Sequence, residues 1–402
     1  MSGRPLRLVI WLAAAALLGG CQEKLTTPAD CPALCPSSQT TARDTVLEAA
    51  FAGDTSFPGY TARGAGSSVL ASRLPTDEER AIITFLGRDS TVIVKDTARA
   101  YSIDSVTLNL GLTGRDTAVK ALRLLVYNLP FVADSTTSFA TVDAALVPGN
   151  LIDSIAVVDT VRAGLLRLTL AGPALARIAL PAGNAGRLSI AVVPNAAAPT
   201  GVRLGSTSAT GGLTPTFTTY AHAAIADTAL QRQQILRGGV FTSFVSAAPP
   251  PAPDISLLAL GGAPSSRVLI RFALPPVIRD TARIVRATLE LIPSGPIAGL
   301  PNDPAVVNVL PVLADLGQKS PTPTSPSAAV SVRAGSTDTV RVDVVRLAAL
   351  WQGSFRRPSV LYLTLLPEAG SFSRPVFYST RSATGHPRLR ITYQLPYPFE
   401  KP

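Results

Sequence analysis

The stretch Arg267-Val268-Leu269-Ile270-Arg271-Phe272 alternates, with Val268, Ile270 and Phe272 on one side and Arg267 and Arg271 on the other. Pro387-Arg388-Leu389-Arg390-Ile391-Thr392-Tyr393 does the same, turning Leu389, Ile391 and Tyr393 inward and Arg388 and Arg390 outward. Short runs of this kind, separated by Gly, Pro, Asp, Ser and Thr, predict half-buried antiparallel strands. The expected fold class is all-β, two tandem antiparallel β-sandwiches of jelly-roll-like type following a signal peptide and a short tether. Twelve of the nineteen Asp are followed directly by Ser or Thr. That pairing suits turns, because both side chains bond nearby backbone N–H groups.

The duplication rests on blocks that recur in order. Ala81-Ile82-Ile83-Thr84-Phe85 matches Val268-Leu269-Ile270-Arg271-Phe272, and Asp96-Thr97-Ala98-Arg99 recurs as Asp280-Thr281-Ala282-Arg283. Val106 to Leu110 matches Ala287 to Leu291, Leu129 to Asp134 matches Leu310 to Asp315, and Ser189 to Pro194 matches Tyr362 to Pro367. Ser208-Ala209-Thr210-Gly211 recurs as Ser382-Ala383-Thr384-Gly385. At the ends, Asp44-Thr45-Val46-Leu47 pairs with Asp227-Thr228-Ala229-Leu230, and Thr219-Tyr220 with Thr392-Tyr393. Conserved order with small drifts in spacing is what loop insertions leave in a repeat. The expected division is module one at 44–222 and module two at 227–402, with the run Pro249-Pro250-Pro251 inside module two.

At the amino end, Arg4 and Arg7 precede an apolar run from Leu8 to Leu18, too short to span a bilayer, and then Gly19-Gly20-Cys21. Leu18-Gly19-Gly20-Cys21 resembles the bacterial lipobox. The resemblance implies removal of residues 1–20, diacylation of Cys21, and attachment to the cell envelope; Gln22 after the lipidated Cys implies sorting to the outer membrane. Residues 21–43 read as a Pro/Ser/Thr tether. Cys31 and Cys35 within it are expected to form a small local disulfide outside the cytoplasm. The alternative, a metal ligand pair, has no further Cys or His nearby to complete it.

Charge separates the two modules. The chain carries 36 Lys and Arg against 26 Asp and Glu, a net +10, and losing Arg4 and Arg7 leaves +8. Module one has fourteen residues of each sign, whereas module two has eighteen basic and ten acidic. Outward Arg267, Arg271, Arg388 and Arg390 therefore define a candidate basic face for an anionic ligand. Such a field captures polyanions and weakens with salt. Outside a cell the partner would be an acidic polysaccharide or envelope polymer. Nucleic acid is not expected, since aromatics make up only 6% and secretion removes the chain from it.

Ser266 to Phe272, then Arg286-Ala287-Thr288-Leu289-Glu290-Leu291, resemble the opening of the DNRLRE-type β-sandwich modules of secreted bacterial proteins. Val342-Asp343-Val344-Val345 leading to Trp351, and the block Pro387 to Tyr393, resemble their closing half. The resemblance covers most of module two and reaches module one through the repeat. It implies a non-catalytic module, related to some that recognise acidic glycans. Read from its neighbours Leu347-Ala348-Ala349-Leu350, Trp351 is a core plug rather than a sugar platform.

Catalytic chemistry is poorly supplied. No G-x-S-x-G, H-E-x-x-H or G-x4-G-K-[ST] occurs. His222 and His386 have no acid or nucleophile beside them in sequence. Asp77-Glu78-Glu79 next to Arg80 reads as a solvated turn. No catalytic residue, cofactor or metal is assigned, although a Ca²⁺ site gathered from separate loops stays open. The expectation is a non-enzymatic, lipid-anchored envelope protein with a structural, adhesive or anionic-glycan-binding role. The alternatives are a polysaccharide-processing enzyme or accessory subunit, or a scaffold for an outer-membrane complex through an exposed strand edge.

Overall fold

The computed structural model of the chain describes residues 42–75, 78–87, 91–94, 96–178, 186–223, 231–247, 254–263, 265–301, 303–352 and 357–396. Cys21, Cys31, Cys35, Asp77, residues 227–230 and the proline run 249–251 lie outside the described residues. Strands dominate, as the alternation predicts, and every strand pairing among the described residues is antiparallel. They pack around two large hydrophobic cores.

In chain order, β1 (Ala42–Glu48) and β2 (Thr55–Thr61) come before the strands of the first core. Those are β3 (Ser68–Arg73), β4 (Glu78–Phe85), β5 (Thr91–Val94), β6 (Thr97–Arg115), β7 (Arg123–Asn128), β8 (Leu151–Ala156) and β9 (Gly164–Ala171). They continue with β10 (Leu188–Asn195), β11 (Thr200–Gly205), β12 (Thr216–Ala223) and β13 (Gln231–Ser246). A short helix, α1 (Phe139–Ala145), separates β7 from β8. The second core is built by β14 (Leu257–Ala259), β15 (Ser265–Arg271), β16 (Arg283–Leu291), β17 (Ala305–Pro311) and β18 (Ala328–Val332). It is completed by β19 (Val340–Asp343), α2 (Val345–Ala348), β20 (Val360–Leu366), β21 (Val376–Tyr378) and β22 (Arg388–Gln394).

Two sheets face each other across the second core, ordered β1-β22-β16-β19 and β2-β15-β20-β17-β18, with a small β14–β21 ladder beside them. Around the first core the same relations recur as β13-β12-β6-β9, β13-β4-β10-β7-β8 and β3–β11. There, further bonds of β11 to β6 and β3 to β4 join everything into one sheet. β13 turns the corner between the layers, with its register shifting between Gly239 and Phe241, as strands that change layer do through bulges. Of the matched blocks, 81–85 and 268–272 fall mainly on β4 and β15, 106–110 and 287–291 on β6 and β16, and 189–194 and 362–367 mainly on β10 and β20; the counterpart of 44–47 lies outside the described residues. The end match, however, is one residue out of step: Phe217 faces Leu108 and Leu389 faces Leu289, so Thr219 corresponds to Ile391. A slip of one residue exchanges the two faces of a strand, so the pairing decides the register.

The chain division expected from sequence does not match the pairing. β1 and β2, placed at the head of module one, bond instead to β22 and β15 of the second core. β13, placed in module two, bonds to β12 and β4 of the first. Local pattern cannot distinguish these options, since an alternating strand fits either edge equally well.

Both central strands are buried on two sides. Ala81, Ile83 and Phe85 of β4 enter the first core, while Ile82 packs under α1 with Val142 and Ala145. In β15, Val268 and Ile270 enter the second core, while Leu269 joins Val312, Val360 and Tyr362 outside it. Doubly buried strands carry continuous apolar runs, as Ala81-Ile82-Ile83 and Val268-Leu269-Ile270 do; the half-buried reading of 267–272 missed the cover over Leu269.

Candidate functional site

The four expected arginines do not form one face. Arg267 and Arg271 leave β15 and Arg388 and Arg390 leave β22, strands of the two sheets that enclose the second core. Because Val268, Ile270, Leu389 and Ile391 all enter that core, the arginines between them point away from it on opposite layers.

Each arginine also has an acid. Arg267 donates from Nε and Nη2 to Glu368 at 2.6 Å and 2.8 Å, and its guanidinium lies 5.9 Å from the Tyr362 ring centre. Arg271 donates to both oxygens of Asp315, at 2.6 Å and 2.7 Å, and to the Gly53 carbonyl at 3.0 Å. Arg388 stands 3.5 Å from Glu48, and Arg390 3.7 Å from Glu290. Glu290 is also 3.4 Å from Arg341. Across β1, β22, β16 and β19, Glu48, Arg388, Glu290 and Arg341 stand side by side in register. That row alternates in sign, an arrangement that stabilises strand pairs and cancels the field a ligand would feel.

Both histidines meet acids that lie far from them in sequence. His222 Nδ1 lies 2.5 Å from Asp104 Oδ2, on the adjacent strand β6. His386 stands between the Ser382 carbonyl at 2.9 Å and Glu48 at 3.4 Å. The Ser382 carbonyl, followed by Glu48, holds its pKa above the ordinary 6.5 against partial burial. In both cases the acid comes from a distant strand, so no local signal could reveal it. Glu78-Glu79-Arg80 is likewise no solvated turn: it lies in β4, with Glu79 and Arg80 buried. Arg80 contacts Glu78 at 2.6 Å and Asp143 at 3.1 Å, with its guanidinium 5.0 Å from the Phe139 ring centre. It fastens α1 to the sheet.

The Asp-Ser/Thr reading holds at Asp116, which accepts from Ala118 N at 2.9 Å, and at Asp134; Asp254, followed by Ile255, makes the same kind of turn with the Ser beyond it. Asp134 accepts from Thr136 N and Oγ1 at 2.8 Å and 2.7 Å, and Asp254 from Ser256 N and Oγ at 2.8 Å and 2.7 Å. These side-chain and backbone hydrogen bonds hold both carboxyls below the ordinary range. Among the described residues, no group of three or more His, Cys, Asp or Glu is placed to hold a metal, and no helix is long and apolar enough to cross a membrane.

A different feature of the second core has ligand-binding character. An open groove of about 490 Å³ is lined by Ala273, Leu274, Arg279, Trp351, Arg357, Pro358 and Ser359. Trp351 is only 1% exposed, belongs to the core, and tilts against Phe272 with ring centres 6.4 Å apart. Its placement follows from α2, whose Leu347 and Ala348 are buried and deliver the indole at the next turn. Trp351 Nε1 and Arg357 Nη1 are buried without a hydrogen-bond partner among the described residues. Neither atom is exposed to solvent, so both lie within the wall of the groove, and its polar border is made by the guanidiniums of Arg279 and Arg357. Arg279, held to Asp280 at 3.2 Å, adds a second guanidinium at the rim. The sequence signal was the Trp alone, because Arg279 and Arg357 lie outside the alternating blocks. No protein-family model matches this chain, and no curated protein sequence matches it either.

Proposed function

We propose that this protein is a non-enzymatic, lipid-anchored component of the bacterial envelope, acylated at Cys21 and carrying two copies of one jelly-roll-like β-sandwich. In this reading the second copy holds an anionic glycan or similar envelope polymer, and the outer membrane is where Cys21 retains it. The observation that carries the binding role is a groove on the second core bordered by two guanidiniums, Arg279 and Arg357, with Trp351 in its lining. A carboxylate would pair with the guanidiniums of Arg279 and Arg357, and Ala273, Leu274 and Pro358 in the lining would take the face of a sugar ring. Arg267, Arg271, Arg388 and Arg390 serve the fold through their acid partners, and the ligand contact passes to Arg357 and Arg279.

The test is titration of the protein with a polyuronate and with a neutral glucan at low salt. Binding of the polyuronate alone, weakened by added NaCl and reduced about tenfold in Arg357→Gln at unchanged melting temperature, is expected. Equal binding of both polymers, or an unaffected Arg357→Gln, overturns the assignment. Chain scission of the polyuronate during titration would instead favour a polysaccharide-processing enzyme. Metabolic labelling with palmitate, lost in Cys21→Ser, tests the anchor separately.

A further inference from the structure

Arg279 borders the groove from the turn Val277–Thr281, and its side chain is already engaged there. It donates from Nε and Nη2 to the two carboxylate oxygens of Asp280, each at 3.2 Å. Nε together with one terminal nitrogen is the edge of a guanidinium that takes a carboxylate side-on. The two side chains are 43% and 31% exposed, so solvent and ligand both reach the pair.

The turn does not need this pair for its shape. Ile278 anchors it in the second core. Ala282 N and Thr281 Oγ1 both donate to the Val277 carbonyl at 2.8 Å. Gln352, next to Trp351, donates from Nε2 to the carbonyls of Ile278 and Ala282, the second at 2.7 Å. These contacts set the backbone around Arg279 without calling on either charged side chain.

Four other arginines of this module use their acids differently. Arg267 ties β15 to the turn after β20, and Arg271 ties it to Asp315 beyond β17. Arg388 and Arg390 tie β22 to β1 and to β16. Each of those pairs fastens two elements. Arg279 and Asp280 are neighbours in one turn, so their pair fastens nothing that the chain does not already join, and exposed pairs add little to stability. The first copy carries the same run, Asp96-Thr97-Ala98-Arg99, in another setting: at Asp96, with a φ of +58°, the chain turns from β5 into β6 and Thr97 pairs with Val94. The turn that presents Arg279 belongs to the second copy, as the groove does.

Resting on the reading of this groove as a site for a carboxylated glycan, we propose that Asp280 is its internal competitor, a carboxylate that holds Arg279 until a ligand carboxylate replaces it. The exchange leaves Arg279 paired throughout and changes only its partner. It also sets the affinity of the groove below what Arg279 and Arg357 alone would give.

The test is a titration of four full-length chains with polygalacturonate at low salt: wild type, Asp280→Asn, Arg279→Gln and the double variant. Asp280→Asn should bind about threefold more tightly than wild type, the share that an exposed ion pair withholds. Arg279→Gln should bind more weakly, and adding Asp280→Asn to it should bring no comparable tightening, because the competitor then has no fork to hold. Melting temperatures of the four should agree. Equal tightening in both backgrounds would mean that Asp280 acts only through the net charge of the module, and overturns the proposal. An unchanged affinity in Asp280→Asn, or a large fall in its melting temperature, does the same. If the wild type takes up no polygalacturonate, the binding role of the groove falls and the competitor with it. If the wild type binds and Arg357→Gln weakens it while Asp280→Asn changes nothing, the site stands and the competitor alone falls.

Discussion

Arg267 grips Glu368 with two parallel hydrogen bonds, of 2.6 Å and 2.8 Å, between β15 and the turn that follows its neighbour β20. Burial disfavours the charge, yet the bonds to Glu368 and Tyr362 outweigh it and hold the arginine pKa above its ordinary value. An arginine so occupied is a fold element. Arg267→Ala should therefore cost about 1–3 kcal/mol in urea unfolding, because it strands a half-buried carboxylate. Polyuronate affinity at low salt should stay unchanged, and a parallel loss of affinity would return Arg267 to the ligand site.

Asp315 makes the acid limb of stability predictable. Its pKa is lowered chiefly by the hydrogen bonds from Arg271, against some desolvation. A carboxyl with a depressed folded pKa gives stability that is full above its unfolded value, near 3.8, and is lost as pH falls through the folded one. Arg271→Gln should remove this share at neutral pH and flatten the loss below about pH 4. Melting temperatures from pH 2 to 7 check this, and an unchanged slope would contradict it.

Much of the strand pattern was readable because it is local. Alternation at 267–272 and 387–393 placed Val268, Ile270, Leu389 and Ile391 inward, where they lie. The blocks 81–85 and 268–272, like 106–110 and 287–291, landed on strands with corresponding partners for the same reason: each needs only its own apolar spacing. The site and the partners of β1 and β2 were not readable, because they depend on which distant strands meet. Nothing in Asp44-Thr45-Val46-Leu47 says that Leu47 will face Leu389 rather than a strand of the first core. Period two assigns Arg267 and Arg388 outward but carries no information on which layer each leaves. The same limit hid Asp104 from His222.

His386 adds a limb of opposite sign. Its pKa is raised, first by the Ser382 carbonyl and then by Glu48, with Arg388 opposing. A group with a raised folded pKa gives stability that is complete below the unfolded value of 6.5 and is lost as pH climbs through the folded one. Since Glu48 belongs to β1, that strand should loosen on the alkaline side. Hydrogen exchange of β1 amides should quicken, beyond its intrinsic rise, between about pH 6 and 8. His386→Gln should abolish that excess, and its survival would place the pH dependence elsewhere.

Gly59 and Gly64 share a φ of +78° but differ in surroundings, which separates conformational strain from crowding. A Cβ at Gly59 would meet nothing within 4 Å, so Gly59→Ala should cost only the left-handed penalty of about 1–2 kcal/mol. A Cβ at Gly64 would lie 2.1 Å from the Thr242 carbonyl oxygen and 2.9 Å from Ser243 Cα. Those backbone atoms cannot retreat, because β13 is bonded to β12 along its first part and to β4 along its second. The displaced element must then be the 62–67 connection, which lies against the first core at Ser206 through a 2.6 Å hydrogen bond to the Gly66 carbonyl. Gly64→Ala should therefore destabilise by clearly more than Gly59→Ala in urea unfolding. Equal costs for the two variants would mean that the connection moves freely against the first core.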